Sequence, residues 1–436
     1  MLSQKSFEVS FKSKIVYNLC MKKICLVIFL IFAFTLNAHS QNSTPNKLEF
    51  YYLRARNFQK PSQEVRTEAG KILVEKINNA KVSVDFAFYG LSKQDEILNA
   101  LIKAQERGVI VRGIVDKNIE NKNDYSGTEY AIQNLGENIV KTDYKAEIDK
   151  LNKIKNKEIE FNYDFFKGHI MHNKFCIIDD EIIWTGTVNI SSTGTGGFNE
   201  NNACLISSKE VAKIFKREFE QMYVKELFHE NKNPVYSRRW IAVDNKNIQI
   251  YFSPNKYIIN TVILPEIKKA KKYIYLSMFL ITNNQIVNNL IEAKNRGVKI
   301  KLIVDAHHAL QSYSKHEKLR QAGIKVKVEN WPGKMHAKTV IIDDKTIITG
   351  SANWTHSAFG YNDENLIVIT NAPKEVAFLK KEFKQSWRSI PNKWLYQNPK
   401  PEGKDSKYSC SDGVDNDHNG LFDKEDPNCK ELKTFN

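Results

Sequence analysis

The chain has 436 residues, is 42% hydrophobic and 11% aromatic, and carries a formal net charge of +15. That length allows two or three domains, and that composition excludes a chain too polar to build a core. The cationic excess lies ahead of an acidic stretch at 400–436, and it attracts phosphate-rich partners such as nucleic acid or anionic lipid. A Lys-rich proteome produces the same excess, so charge alone selects no function.

In chain order, Lys22 and Lys23 precede an apolar run from Ile24 to Leu36, and Ala38-His39-Ser40 comes next. A charged start, a short apolar stretch and small residues form a secretory signal pattern, so residues 1–40 are expected to be an export signal. The true start is then Met21. The run is about 13 residues, short of the ~20 that span a bilayer, so no integral span is expected in the mature form.

A repeat organises the body of the chain. Residues 74–116 and 264–305 both run helix end, Ala-Lys, apolar strand, amphipathic helix, Arg-Gly-Val, second strand and Asp. Ile97, Leu98, Leu101 and Ile102 form one apolar stripe, and Ile286, Leu290 and Ile291 the other. Strand–helix–strand order predicts parallel pairing in an α/β layer. From Asp116 to His172 is 56 residues, and from Asp305 to His336 is 31. The first copy therefore carries an insertion within 117–160, expected to form a loop and a helix. Residues 228–238 read as the link between halves, giving a first half at 46–230 and a second at 236–398.

A second block repeats as HNKFCIIDDEIIWTGTVN from His172 and HAKTVIIDDKTIITGSAN from His336. Each reads as a β-hairpin. A two-residue turn at Asp180-Glu181 sets His172 opposite Asn189 and Lys174 opposite Thr187. The second copy sets His336 opposite Asn353 and Lys338 opposite Ser351. Period-two alternation puts imidazole, ammonium, hydroxyl and amide on one face. Such a cluster holds a nucleophile or proton carrier beside donors for phosphate oxygens. Thr187 and Ser351 are candidate substrate contacts. Asp179 and Asp343 fall on the opposite face and are expected to anchor the turns, with Gly186 and Gly350 as motif glycines. Glu200 and Glu364 come after the histidines at one spacing, and a carboxylate on a ring nitrogen fixes the tautomer. Eight mostly polar positions recur at an offset of 164. Duplication of a scaffold alone does not require that.

Pro399, Pro401 and Gly403 mark a linker. Beyond it, a tail at 404–436 contains CSDGVDNDHNGLFDKEDPNC. With Asp415 at position 1, Asp417, Asn419, Leu421, Asp423 and Asp426 take the calcium-loop positions, Gly420 the turn, and Asp the place of the usual Glu at 12. A structural Ca2+, remote from the reaction, is the expectation. Export favours a Cys410–Cys429 disulfide. Cys176 and Cys204, in apolar runs, read as buried small hydrophobes, with a bridge between them left open.

The two copies of H-x-K-x4-D-x6-G-[S/T]-x-N resemble the phospholipase D superfamily, over residues 48 to 395. The resemblance implies two pseudo-symmetric halves, each a mixed sheet flanked by helices, with the active site at their interface. It implies that one His attacks phosphorus while the other protonates the leaving oxygen, with no cofactor for catalysis. Lys174, Lys338, Asn189 and Asn353 would hold phosphoryl oxygens, and family precedent favours His172 as nucleophile. The tail resembles calcium-binding Asp-rich repeats of secreted proteins. Phospholipid and nucleic acid stay open as substrates, and a non-catalytic calcium-dependent adhesion module is the alternative of another class. Protein partners are not indicated.

Overall fold

The computed structural model describes residues 46–117, 125, 127–142 and 168–430. The expected export signal lies outside the described residues, as does most of the insertion, of which the helix Thr128–Leu135 is described. No described helix is long and apolar enough to cross a membrane.

Two sheets carry the fold. The first is built from β1 (Lys47–Leu53), β2 (Ser83–Phe88), β3 (Ile110–Val115), β4 (Ile139–Lys141), β5 (Lys174–Ile178), β6 (Ile182–Gly186) and β7 (Asn201–Ser207). Its order is β1-β7-β6-β5-β2-β3-β4. The second contains β8 (Ile241–Val243), β9 (Lys246–Ser253), β10 (Tyr273–Met278), β11 (Lys299–Val304), β12 (Lys325–Val328), β13 (Lys338–Ile342), β14 (Thr346–Gly350) and β15 (Glu364–Thr370). Its order, β8-β9-β15-β14-β13-β10-β11-β12, repeats the first with one strand added at the edge. In each, the strand–helix–strand unit pairs in parallel and the hairpin antiparallel, so both sheets are mixed.

The helices form on the apolar stripes. Helices α1 (Glu68–Asn79) and α2 (Asp95–Glu106) pack Leu73, Ile77, Ile97 and Leu101 on the outer face of the first sheet. Two more helices, α3 (Lys209–Tyr223) in the first half and α5 (Pro373–Ser389) in the second, close their halves and contribute Phe215, Phe219, Val376 and Leu379 to a core between the sheets. There Phe175, Ile177 and Ile183 meet Phe252, Ile341, Ile347 and Ile367. Between these two in the chain is α4 (Asn284–Asn295), capped by the side-chain oxygen of Asn283. Gly108 and Gly297 adopt the left-handed conformation just past α2 and α4, where the chain stops the helix and turns back.

The hairpins differ from expectation by one residue. Ile178 pairs with Ile182, and Phe175 with Thr185, so three residues, Asp179, Asp180 and Glu181, make the turn. Asp179 and Asp180 both have positive φ, near 53°, as do Asp343 and Asp344 in the second hairpin. Asp tolerates that region because its short polar side chain bonds locally. The Asp179 carboxylate accepts the backbone N–H groups of Lys81, Val82 and Ser83. Asp343 does the same for Lys271, Lys272 and Tyr273. These acids tie each hairpin turn to the strand beside it and take no part in the site. The extra turn residue shifts every cross-strand partner by one. Lys174 therefore lies level with Gly186, and the predicted His172–Asn189, Lys174–Thr187, His336–Asn353 and Lys338–Ser351 pairs do not form. At Gly186 a Cβ would sit 2.4 Å from the Asn202 carbonyl oxygen, and at Gly350 2.2 Å from that of Asn365, both at φ above 140°. A side chain there costs about 1–3 kcal/mol in backbone strain alone.

Candidate active site

His172 and His336 lie just before β5 and β13, and each is anchored to the other half. The His172 backbone N–H donates to the Asp363 carbonyl at 2.9 Å, and the His336 N–H to the Glu200 carbonyl at 2.9 Å. Bridges Met171–Asp363 and Glu200–Met335 lock these crossings. Asn202 reaches from the first half to Thr349 and Thr339, and Asn365 from the second to Asn173 and Thr185. The two motifs thus meet across the seam between the sheets.

Both rings are buried, at 7% and 5% exposed. The ammonium of Lys174 donates to the His172 carbonyl at 2.6 Å, and that of Lys338 to the His336 carbonyl at 2.6 Å. Tyr89 meets the edge of His172, with centroids 5.3 Å apart, and Phe279 does so for His336 at 4.8 Å. The same rings lie under the ammonium groups of Lys174 and Lys338. Burial pulls the Lys174 ammonium down to about 7, although Glu364 and Asp116 favour its charge. Burial, reinforced by Lys174, drives Lys338 well below the usual lysine range. Both imidazoles are held well below their ordinary value by burial and by the two lysines. Two lysines and two imidazoles buried together make a site that favours an anion.

The histidines are held differently. The Nδ1 of His172 lies 2.9 Å from both carboxylate oxygens of Glu364. The Nδ1 of His336 lies 2.9 Å from the side-chain oxygen of Asn201. Glu200 does not touch a ring. Its carboxylate accepts from Tyr52, Ala55 and Ser386, with Arg56 3.7 Å away. The expectation of two matching carboxylates is corrected by the backbone: the loop before β15 is one residue shorter than the loop before β7. Asn201 is therefore the counterpart of Glu364, and Glu200 that of Asp363, which holds His229 and Lys232. Aligning Asn199-Glu200-Asn201-Asn202 directly on Asn362-Asp363-Glu364-Asn365 reveals this in the sequence. Burial pushes the Glu364 carboxyl up to about 8, against the pull of Lys174, Ser351 and Lys338.

Thr187 and Ser351 sit behind these partners. Thr187 donates to the Asn201 oxygen at 2.8 Å, and the Ser351 hydroxyl bonds Glu364 and accepts the Asn365 N–H. Their hydroxyls position the groups that hold the rings. Asn189 donates to Tyr125 at 2.7 Å. The side-chain oxygens of Asn189 and Asn353 are buried without a hydrogen-bond partner among the described residues.

In the tail, Cys410 and Cys429 form a disulfide with Cα atoms 5.6 Å apart, while Cys176 and Cys204 are buried thiols. Asp415 and Asp417 converge with Glu402, one oxygen from each lying within 4.8 Å of the others. Glu402 stands in the linker, outside the calcium-loop spacing, so that spacing gives no signal for it. Asp423 turns its carboxylate to the amides of Asp412 and Gly413, Asp426 bonds Asn419, and Leu421 donates its N–H to Asn419. The tail is not remote from the motifs. His418 contacts the Lys334 ammonium at 2.7 Å and stacks edgewise on His307 at 4.5 Å, and Lys334 lies two residues before His336.

The family model described as "Cardiolipin synthase, PLD-like domain" matches residues 73–223 and 263–387. Phospholipase D of Rickettsia prowazekii is 34% identical over 151 residues, 34% of this chain and 71% of that protein. Human mitochondrial cardiolipin hydrolase is 33% identical over 132 residues, 30% of this chain and 52% of that protein. The solved phosphatidylserine synthase of Haemophilus influenzae shares the fold over 81% of this chain and 89% of its own, with TM-score 0.53 and 13% identity. Matched on both halves, with both motifs facing one seam, the chain belongs to the phospholipase D superfamily and is a phospholipase D-like phosphodiesterase.

Proposed function

We propose that the protein hydrolyses phosphodiesters in two steps through a phosphohistidine on His172, without a catalytic metal. The unequal partners of the two rings carry this reading. Glu364 orients the His172 ring, frees its Nε2 lone pair, and stabilises the positive charge that grows on the ring as it bonds phosphorus. The amide oxygen of Asn201 fixes the His336 ring without that charge, leaving it the better proton donor. In the first step the His172 Nε2–P bond forms and the P–O bond to the leaving group breaks, with the His336 proton moving to the leaving oxygen. In the second, water attacks phosphorus, gives its proton to His336, and the P–N bond breaks. Lys174 and Lys338 balance the charge on the non-bridging oxygens, and the side-chain N–H groups of Asn189 and Asn353, not their amide oxygens, would donate to those oxygens.

The test uses wild-type protein in EDTA with plasmid DNA and with phosphatidylcholine vesicles. Hydrolysis is expected to persist in EDTA, and an acid-labile, alkali-stable phosphoryl group is expected on His172 after rapid denaturation. Loss of turnover in EDTA from protein that stays folded sinks the metal-free step.

The tail fits a structural Ca2+ through an all-oxygen donor set. Burial, with the charges of Asp426 and Asp417, pushes Glu402 up to about 7, a repulsion that a cation relieves. Glu402, Asp415 and Asp417 would hold it. Asp415→Ala is expected to weaken calcium binding at least ~10-fold by calorimetry; equal binding by the variant removes Asp415 from the site. The tail disulfide suits export to an oxidising compartment through segment 1–40.

A further inference from the structure

The duplication supplies an internal control for one surface. In the first half, Arg112 on β3 pairs with Asp85 at 2.7 Å and with Glu220 on α3 at 2.8 Å, and lies over Phe219 and Tyr223. The second half repeats this frame. Asp85 stands beside Arg112 in the parallel register, and Tyr275 stands beside Lys301 in the matching register. Arg217-Glu218-Phe219-Glu220-Gln221 corresponds to Lys381-Glu382-Phe383-Lys384-Gln385, so Lys384 replaces Glu220 and Trp387 replaces Tyr223. Both acids that neutralise the cation in one half are thus absent from the other.

More positive charge stands in their place. Lys301 faces Lys325 directly across β11 and β12, a like-charge pairing that weakens a sheet. The charged groups acting on Lys301 are Lys325, Lys384 and Arg388, and their repulsion adds to burial in holding its ammonium down. Lys301 and Lys327 flank the Trp387 ring, at 4.9 and 5.1 Å. Among the described residues no carboxylate forms an ion pair with any of these five cations. Lys325, Lys384 and Arg388 are exposed, and Tyr396, just past the segment Asn392–Leu395, is 84% exposed. The first half shows that the fold is satisfied with this position neutralised, so the second half's charge is surplus to folding.

We propose that this face of β11, β12 and α5 is a docking surface for the phosphate backbone of a nucleic-acid strand. Phosphates replace the missing carboxylates, and the half-buried Trp387 and exposed Tyr396 offer rings to bases. Lys325 and Lys301 lie toward the start of their strands, away from the end where Asp305 and the motif histidines gather. A polymer reaches from one end to the other, whereas a bilayer presented to the seam does not lie against this face. This assigns a substrate class to the seam and rests on reading that seam as a phosphodiesterase.

The test measures binding of a fluorescein-labelled single-stranded oligonucleotide to full-length His172→Ala protein by anisotropy, as a function of salt. Lys384→Glu, which restores the first half's carboxylate, and Arg388→Glu are compared with Lys213→Glu, an equal charge change on an exposed position of α3. The first two are expected to raise Kd roughly tenfold and to flatten the log Kd against log salt slope by about 0.7 per lost phosphate contact. Equal weakening by Lys213→Glu, or no weakening by either, overturns the proposal. Binding of phosphatidylglycerol vesicles that Lys384→Glu abolishes while oligonucleotide binding stays intact also overturns it. Lys384→Glu with His172 restored is expected to hydrolyse bis(p-nitrophenyl) phosphate at the wild-type rate. A wild-type protein inactive on that diester counts against the reading of the seam, and the binding comparison is judged separately.

Discussion

Replacing His336 by Asn cuts hydrolysis of an alkyl diester by about 10²- to 10⁴-fold, the usual worth of a general acid, yet largely spares the first turnover of a diester with a nitrophenolate leaving group. His172→Asn abolishes both. The difference follows from the chemistry of departure. A nitrophenolate leaves without a proton, so the donor becomes dispensable in the first step, while water attack in the second still needs His336, and no substrate escapes the need for a nucleophile. Single-turnover burst rates on the two diesters, with circular dichroism to check folding, decide the matter. The opposite pattern, with His172→Asn rescued by the better leaving group, would reverse the roles. In the proposed mechanism the buried ring with Glu364 at 2.9 Å carries the covalent positive charge.

The second large effect lies in the ring partners. Glu364→Gln presents an amide that is free to donate toward Nδ1, moving the ring proton to Nε2 and removing the lone pair that attacks. A wrong tautomer of this kind costs up to about 10⁴-fold in turnover. Asn201→Asp acts in the other direction. A carboxylate at 2.9 Å from Nδ1 favours imidazolium, so it raises the affinity of His336 for its proton. The free protein holds both rings well below the ordinary histidine value, chiefly through burial and the two lysines. Substrate phosphate offsets those lysines, and the pair then titrates as a unit that needs one proton. The acid must be protonated to act, so the alkaline limb of the rate profile moves to higher pH in Asn201→Asp. The acid limb, set by neutral His172, stays in place. A pH–rate profile checks this, and an unmoved alkaline limb would detach Asn201 from the acid.

Much of the fold and site is legible in the chain, and the departures share one cause. The strand–helix–strand repeats, the hairpins and the glycine stops follow from apolar period and turn chemistry, and they form where the spacing places them. The hairpin register and the carboxylate assignment each differ from the spacing by one residue. Sequence spacing cannot count a three-residue turn closed by left-handed aspartates, because that turn is chosen by amides at Lys81, Val82 and Ser83 far away in the chain. Nor does a constant offset survive a loop one residue shorter, so it matches Glu200 with Glu364 and passes over Asn201. The approach of the tail to the motifs is equally silent in the sequence, because nothing in the tail's own residues announces that His418 reaches Lys334.

Each half lends the other the group that grips its histidine: Glu364 serves His172, and Asn201 serves His336. Two identical copies of the first half would give two amide-held rings, and two of the second half two acid-held rings. Joining unlike copies in one polypeptide gives one ring of each kind, so the two rings already differ before substrate arrives, whereas identical halves would differ only once substrate breaks their symmetry.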